Sequence, residues 1–238
     1  MHSHLQQNLH HYESNAELTT QLARRVASDL GTAIAERGIA TLAVSGGSTP
    51  KPLFERLSQL PLDWARVTVT QVDERWVDED HQDSNALLIR QHLLQNLAAA
   101  AQFASMKTPG DSPFDAEAAA SEKLSAFAQG IDVVVLGMGE DGHTASFFPG
   151  AATLAKALQP AGDELCVAVA PPSAPHERMT LSLAALLSAR NIYLHITGEA
   201  KWGVLQQAAT AGSEEELPIR SVLFRAEPPL QIYYANRN

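Results

Sequence analysis

The segment GMGEDGHT, residues 137–144, carries the side chains best suited to catalysis. Three glycines within six residues allow a sharply bent loop, and the loop follows the clearest predicted strand of the chain. It therefore presents His143 at the mouth of the predicted sheet. Histidine titrates near neutrality and is the commonest general acid–base group. The pattern favours a catalytic His143 over a surface histidine that caps the next helix. The two-residue spacing leaves a contact with Asp141 open.

A second candidate site is the turn SGGSTP at residues 45–50, which follows a short apolar run. Consecutive glycines let backbone N–H groups approach an anion without a Cβ in between. Thr49 and Pro50 are typical of a helix start with threonine as the cap, and a helix N-terminus offers free donors and partial positive charge. The turn matches neither GxGxxG nor GxxxxGK[ST]. It is either a phosphate cradle or a tight strand–helix turn.

Charged side chains stand near further strand ends. Asp73 and Arg75 end the second predicted strand, as either a structural ion pair or a catalytic pair. Arg178 and Lys201 follow later strands. An arginine offers a planar fork for phosphate and a lysine a point charge. Taken alone, each of these two cations is typical of an ordinary surface residue. They become candidates for phosphate binding only because an anion held by the glycine turn would need positive charges nearby.

These residues need a scaffold of alternating strands and helices. Short apolar runs and helical periodicity predict the following elements: strands over 39–45, 66–72, 131–137, 165–170, 191–197 and 230–235, and helices over 14–38, from Ser84 to about 97, 115–129, 182–189 and 199–209. The alternation indicates an α/β fold, Rossmann-like, with a mostly parallel sheet and helices on both faces. Ligands of such sheets bind beyond the carboxyl ends of the strands. The four polar segments at 45–50, 73–75, 137–147 and 197–201 are therefore expected to meet.

Charge and composition exclude several classes of protein. The 238 residues carry 17 Lys and Arg against 27 Asp and Glu, a net charge of −10. Nucleic acids and anionic membranes require basic surfaces, so neither is expected as a partner. No apolar run approaches the length of a membrane span. The single cysteine, Cys166, excludes an intrachain disulfide, and the N-terminus lacks the pattern of a secretory signal. A cytoplasmic protein is expected.

The first 13 residues are expected to form a flexible tail, and residues 14–238 a single domain. The tail holds four histidines, but it lacks the cysteine, carboxylate or fixed helical spacing that a metal site requires, so no metal is expected. The sequence leaves a monomer and a homodimer equally open. His195 and the other scattered histidines are expected to have no special role.

Taken together, the motifs resemble those of the 6-phosphogluconolactonase family. The matching segments are SGGSTP at 45–50, DERWV at 73–77, SNALLIRQHLL at 84–94, GMGEDGHTASFFPG at 137–150 and RMTL at 178–181. The parent superfamily includes glucosamine-6-phosphate deaminases, which share the glycine turn and the GxGxDGH loop. Those enzymes carry Asn-Glu-Pro shortly after the loop, where this chain has Phe147-Phe148-Pro149. A phenylalanine cannot support the histidine by hydrogen bonding, which disfavours the deaminase.

The resemblance implies a fold of the deaminase/ribose-phosphate-isomerase type, 6-phospho-D-glucono-1,5-lactone as the substrate, water as the second reactant and no cofactor. Asp73, Arg75 and His143 are expected to line the reacting end. His143 would act as the general base, Arg75 would stabilise the developing oxyanion, and either Asp141 or Asp73 would orient the imidazole. The residues expected to hold the phosphate are Ser45, Gly46, Gly47, Ser48, Thr49, Arg178 and Lys201.

Three rival functions are less well supported by the sequence. A deaminase or isomerase on the same scaffold lacks the glutamate described above. A sugar-phosphate sensor of the transcription-regulator type needs a DNA-binding module, and the residues before the first predicted helix are too few for one. A coenzyme A transferase-like enzyme needs an active glutamate, for which Glu140 is available. As a mechanism, a serine-hydrolase triad is disfavoured because Ser45 precedes its glycines and no G-x-S-x-G elbow is present.

Overall fold

The structure, a computed structural model, describes residues 2–159, 164–172 and 174–236. Within these ranges the strands form a seven-stranded sheet and a three-stranded sheet. The strands are β1 (Leu9–Tyr12), β2 (Ala40–Val44), β3 (Val67–Gln71), β4 (Asp73–Arg75), β5 (Gln102–Phe103), β6 (Val133–Leu136), β7 (Cys166–Val169), β8 (Arg178–Leu181), β9 (Asn191–Thr197) and β10 (Gln231–Ala235). The helices are α1 (His2–Gln7), α2 (Asn15–Arg37), α3 (Lys51–Leu57), α4 (Asn85–His92), α5 (Glu117–Lys123), α6 (Leu154–Leu158), α7 (Leu183–Leu187), α8 (Glu199–Ala208) and α9 (Ile219–Arg225).

The large sheet is parallel throughout, in the order β1-β10-β9-β6-β2-β3-β5. From β2 the chain moves to β3 and β5 on one side. It then returns to β6 on the other side of β2 and continues outward to β9 and β10. The direction of winding thus reverses between β2 and β6, and open α/β sheets bind ligands at such a reversal. The predicted α/β architecture is confirmed.

Side-chain alternation along the central strands builds one hydrophobic core on each face of the large sheet. Leu42 and Val44 of β2 pack with the apolar residues of α2 and α3 in one core, whereas Ala43 belongs to the other. The second core includes buried residues of α5 to α9 and of the small sheet. Helices therefore cover both faces, as the sequence predicts, and the strands between them are buried on both sides.

The helix predicted over residues 14–38 is confirmed together with both of its ends. Ser14 is the N-cap, and its hydroxyl accepts a hydrogen bond from the backbone N–H of Glu17 at 3.2 Å. Gly38 adopts a left-handed conformation with φ of 81°, and its N–H donates to the carbonyl of Ile34. Glycine suits this position because a Cβ disfavours left-handed backbone.

Three predicted helices differ from the structure. α3 begins at Lys51, and Pro50 rather than Thr49 is its N-cap residue, because the carbonyl of Pro50 accepts the helical bond from Phe54. Ser84 caps α4 as predicted, but α4 ends at His92, where the chain turns into a short 3₁₀ segment over residues 96–100. Of the helix predicted over 115–129, only α5 is α-helical, and 3₁₀ turns flank it.

The N-terminal segment is part of the large sheet, which corrects the prediction of a flexible tail over residues 1–13. β1 pairs with β10, with Leu9 opposite Ile232, and the ring of His10 stacks on Tyr233 at 4.6 Å. This pairing depends on a strand at the far end of the chain, so the composition of the segment does not reveal it. Residue 1 lies outside the described residues.

The small sheet, in the order β4-β8-β7, is antiparallel. The strand predicted over 165–170 lies here as β7, rather than in the parallel sheet. β4 and β8 have only three and four residues, too few for a periodic signal, and the sequence did not predict them as strands. This sheet matters for the site because β4 holds Asp73 and Arg75, and β8 begins at Arg178.

Candidate active site

A cleft of about 320 Å³ opens at the point where the winding of the large sheet reverses. The ends of β2, β4, β6, β8 and β9 contribute to its walls, so the four polar segments meet as the sequence predicts. Of the residues expected to have a function, ten line this cleft: Ser45, Gly46, Gly47, Ser48, Thr49, Asp73, Arg75, His143, Arg178 and Lys201. Asp141 does not line the cleft but contacts His143.

The turn after β2 joins the ends of the two central strands. The backbone N–H of Ser45 donates to the carbonyl of Val135 at 2.9 Å, and its hydroxyl accepts from the N–H of Gly137 at 3.1 Å. Gly46 is required by sterics, because a Cβ at this position would lie 1.8 Å from Oδ1 of Asn85. Gly47 has a φ of 92°, and nothing lies within 4 Å of its Cβ position. The turn therefore presents an open backbone surface to the cleft.

β4 divides its side chains between the cleft and the protein interior. Asp73 and Arg75 line the cleft, and Glu74 between them is almost fully buried. Oδ2 of Asp73 accepts a hydrogen bond from the hydroxyl of Ser146 at 2.7 Å. Asp73 and Arg75 do not form an ion pair with each other among the ion pairs of the described residues. The structural ion pair considered from the sequence is therefore absent there.

Glu74 fixes β4 to the start of α4, a role that the sequence did not reveal. Its carboxylate accepts backbone hydrogen bonds from Arg75, Asn85 and Ala86 at 2.7–2.8 Å. Burial raises the pKa of this carboxyl, and the hydrogen bonds oppose that shift. Three backbone donors on a buried carboxylate hold the strand in place, and with it the two side chains that face the cleft.

Two guanidinium groups lie side by side on the small sheet. Arg75 and Arg178 are directly opposite each other across β4 and β8. Each donates one bond to a backbone carbonyl, and each Nε is buried without a partner in the described residues. Burial lowers the pKa of Arg178, and the nearby Asp73 opposes this. With no carboxylate in ion-pairing distance within the described ranges, both arginines remain available for an anionic ligand.

Asp141 is the partner of His143, which decides an alternative that the sequence left open. Oδ1 of Asp141 lies 2.5 Å from Nδ1 of His143 and also accepts the backbone N–H of His143 at 3.1 Å. Because a carboxylate only accepts, the proton of a neutral ring lies on Nδ1, and Nε2 then has the free lone pair. The hydrogen bond from His143 lowers the pKa of Asp141. Asp73 bonds to Ser146 instead.

The glycines of the loop are needed for this pair to form. Gly139 donates its N–H to the carbonyl of His143 at 2.9 Å, which closes the loop on itself. A Cβ on Gly139 would lie 2.2 Å from Nδ1 of His143 and 2.5 Å from Oδ1 of Asp141. Gly142 has a φ of 77° and packs against Leu217. The sequence GMGEDGH thus encodes the contact between the carboxylate and the imidazole.

Residues 13–229 match the family described as glucosamine-6-phosphate isomerases/6-phosphogluconolactonase. The chain belongs to this family. A 6-phosphogluconolactonase of Rhizobium meliloti is 45% identical over 228 residues, which cover 96% of this chain and 98% of the relative. One from Pseudomonas aeruginosa is 44% identical over 93% of this chain and 92% of the relative. The crystal structure of a 6-phosphogluconolactonase from Shewanella baltica superposes with a TM-score of 0.93 at 44% identity, and covers 95% of this chain and 97% of that one.

A monomeric glucosamine-6-phosphate deaminase shares the fold at a TM-score of 0.79 and 17% identity, over 96% of this chain and 97% of that one. Phe148 belongs to the segment Phe147-Phe148-Pro149, where the resemblance leads us to expect Asn-Glu-Pro in a deaminase. Its ring packs on His143 with a centroid distance of 4.4 Å, and the guanidinium of Arg178 lies 5.8 Å from the same ring. The face of the imidazole next to Phe148 is therefore in apolar contact.

Lys201 of α8 and His195 of β9 also line the cleft. Burial lowers the pKa of Lys201, and Glu140 opposes this. Sequence reasoning assigned no role to His195, because a histidine within an apolar strand gives no signal that distinguishes a ligand from a packing residue. Asn85 also lines the cleft, and its amide donates to the carbonyl of Asp73 at 2.7 Å.

Within the described ranges, the structure contains neither a cluster of metal ligands nor a helix that could span a membrane. No three side chains of the ligating types there come together in a way that would hold a metal ion. Nor does any helix in that part of the chain have the length and apolar character needed to cross a membrane. Glu140, which a transferase-like mechanism would use, is not among the residues that line the cleft.

Proposed function

We propose that the protein hydrolyses 6-phospho-D-glucono-1,5-lactone to 6-phospho-D-gluconate, the lactonase step of the oxidative pentose phosphate pathway. One observation carries the proposal: an imidazole positioned by a carboxylate opens into the same cleft as two unpaired guanidinium groups. The first arrangement suits activation of water, and the second suits an anionic substrate. The names of the close relatives support the same reaction.

His143 is proposed as the general base. Its Nε2 takes a proton from water as the water oxygen attacks C1 of the lactone, and the carbonyl oxygen gains the negative charge. When the tetrahedral intermediate collapses, the bond from C1 to the ring oxygen breaks, and Nε2 returns the proton to that oxygen. Asp141 accepts the Nδ1 hydrogen bond throughout and stabilises the imidazolium. Such acid–base catalysis contributes about 10²–10⁴-fold.

The phosphate of the substrate is proposed to bind to the turn at residues 45–49, to Arg178 and to Lys201. The turn offers backbone and hydroxyl donors, and the two cations neutralise a dianion. Arg75 is proposed to stabilise the oxyanion on C1, and Asp73 lines the reacting end beside it. Anchoring the remote phosphate fixes C1 against the attacking water, so binding energy is converted into orientation.

Deaminase activity is the less favoured alternative, because Phe148 packs on His143 where a deaminase has its glutamate. The test is to incubate the protein with glucosamine 6-phosphate and measure ammonia. We expect no ammonia above the blank.

The cytoplasm is proposed as the compartment of the protein, since the lone Cys166 allows no intrachain disulfide of the kind found in oxidising compartments.

The decisive experiment generates the lactone in situ with glucose-6-phosphate dehydrogenase and follows acid release against the spontaneous rate. His143→Ala should lower kcat by about 10²–10⁴-fold, because no base remains to deprotonate water. The double variant with Asp141→Ala should be no slower than His143→Ala alone, because the two residues act as a unit. His92→Ala, at a histidine bonded to Glu55 away from the cleft, is the matched control. Near-normal turnover by His143→Ala would remove the assigned base.

A further inference from the structure

His195 is a buried histidine of the cleft whose ring nitrogens have no partner. Only 2% of its surface is exposed, and it lines the same cleft as His143 and Lys201. Among the described residues, neither Nδ1 nor Nε2 forms a hydrogen bond. Buried polar side-chain atoms in native proteins nearly always have a partner. A ring with both nitrogens unsatisfied, beside an open cleft, is therefore placed to bond to something that enters the cleft.

The position of His195 in the sheet explains how the ring reaches the cleft. Leu136 of β6 is in register with Leu194 of β9. His195 therefore comes one residue after the last position at which β9 pairs with β6, where β6 ends and the loop that begins at Gly137 follows. The equivalent earlier residue on this face, Tyr193, packs in a hydrophobic core. The side chain of His195 extends from the same face of β9, and unlike Tyr193 it lines the cleft.

The charges around His195 select the kind of ligand group. Burial, together with the adjacent Lys201, lowers the pKa of His195 to about 4, so the ring is neutral at neutral pH. A neutral imidazole has one donor nitrogen and one acceptor nitrogen. A hydroxyl group matches this pair because it both donates and accepts. A phosphate dianion binds better to the cationic side chains of Arg178 and Lys201 in the same cleft than to a neutral imidazole.

We infer that His195 is a further substrate-binding residue, which forms a hydrogen bond with a hydroxyl group of the sugar in the cleft. The inference rests on the proposed function, because it takes the ligand to be a sugar phosphate with free hydroxyl groups. It adds a contact to the uncharged part of the substrate, whereas the residues assigned above hold the phosphate and the reacting carbon.

The test compares His195→Leu, which cannot form the bond, with His195→Gln, which keeps a donor and an acceptor. With the lactone as substrate, His195→Leu should raise KM about three- to tenfold, the loss typical of one hydrogen bond, with kcat within about twofold. His195→Gln should recover most of the KM. The unfolding temperature of His195→Leu should be equal to or above that of the wild type, because an unsatisfied group is removed. His92→Leu is the matched control. Unchanged KM in His195→Leu would overturn the inference.

Inorganic phosphate distinguishes the hydroxyl group from the phosphate as the partner of His195. The inhibition constant of inorganic phosphate should be unchanged in His195→Leu and higher in Arg178→Ala. If phosphate inhibition weakens as much as KM rises in His195→Leu, the ring contacts the phosphate and the inference is wrong. In the wild type, the ring ¹⁵N signals of His195, identified by their loss in His195→Gln, should shift with 6-phosphogluconate and not with inorganic phosphate.

The failure of this inference is distinguishable from failure of the proposed function. If the wild type does not accelerate lactone hydrolysis, the proposed function is wrong. The ¹⁵N titration with 6-phosphogluconate then decides the inference by itself, and it also does so if His195→Leu does not fold. If the wild type hydrolyses the lactone and neither KM nor the His195 signals respond, only the inference about His195 is overturned.

Discussion

Arg75 and Arg178 have different proposed roles although they are direct neighbours across two strands. Both guanidinium groups face the cleft, and neither has a carboxylate partner in the described part of the chain. What separates them is their surroundings. Arg178 is the more deeply buried of the pair and approaches the ring of Phe148, whereas Arg75 is tied to the carbonyl of Asp83 at 2.6 Å. Kinetics can assign one role to each because anchoring and transition-state stabilisation affect different constants.

Arg178→Ala should raise KM about tenfold or more with a smaller effect on kcat, because a charged hydrogen bond to the phosphate is lost in both ground and transition state. Arg75→Ala should lower kcat about 10²-fold or more, the loss typical of an oxyanion donor. The readout is the initial rate over a range of lactone concentrations. Arg66→Ala, in an exposed ion pair with Asp63, is the control. Equal effects of both substitutions on KM alone would show that Arg75 also binds the phosphate.

The sequence was sufficient to identify the motif residues individually, but it did not show which of them are in contact with each other. The spacing of Asp141 and His143 left their contact open, and the closed turn made by Gly139 provides it. Glu74 was overlooked because its function depends on α4, whose start comes eleven residues later in the chain. His195 gave no signal for a similar reason: a histidine in an apolar strand is informative only when the cleft beside it is known.

The loop after β6 is the element on which the proposed catalysis depends. Its backbone closes through the hydrogen bond from Gly139 to His143, and α9 holds it from outside through the bond from the N–H of Ile219 to the carbonyl of Gly142. Glycines at 139 and 142 leave room for the Asp141–His143 pair and for Leu217, respectively. The conformation of the loop, rather than the presence of histidine alone, therefore positions Nε2.

Gly139→Ala should abolish most of the lactonase activity while the protein remains folded. The new Cβ would lie 2.2 Å from Nδ1 of His143, so the imidazole and Asp141 must separate. We expect kcat to fall about 10²-fold, the lower range for loss of an acid–base catalyst, with a circular dichroism spectrum like that of the wild type. Gly203→Ala in α8 is the matched control, because nothing lies within 4 Å of its Cβ position. Full activity in Gly139→Ala would show that the Asp141–His143 contact is dispensable.

Elements that depend on local sequence were predictable, and those that depend on distant partners were not. The apolar runs of β2, β6 and β9 and the capped periodicity of α2 are local patterns, and all four elements are present. β1 has four residues, two of them histidines, and becomes a strand only because β10 offers an edge to it. β4 and β8 likewise exist through their mutual pairing.

The topology of the whole chain brings the site together. β2 and β6 are adjacent, yet their connections run to opposite sides of the sheet, so the turn after one and the loop after the other face a common cleft. The small sheet adds Asp73, Arg75 and Arg178 from a third direction. This arrangement explains why a chain with net charge −10 can present a basic site: the positive groups are concentrated in one crevice.

The free energy of unfolding should decrease at acidic pH because of His195. The pKa of this buried ring is about 4 in the folded state and about 6.5 in an unfolded chain, because burial disfavours the charged form. Above the unfolded value neither state binds the proton. As the pH falls below it, the unfolded chain takes up a proton that the folded protein excludes, so stability decreases until the folded value is reached.

Between pH 7 and pH 4.5 the wild type should therefore lose about 2 kcal/mol more unfolding free energy than His195→Leu, since a tenfold difference in proton affinity between the two states corresponds to about 1.4 kcal/mol. Urea unfolding of both proteins at the two pH values measures this difference, and the other titrating groups cancel because both proteins share them. Lys201, the cation next to His195, is present in both proteins, so its own titration is shared. Equal losses in the two proteins would mean that the folded protein accommodates a charged His195, and the neutral ring assumed for its hydroxyl contact would be wrong as well.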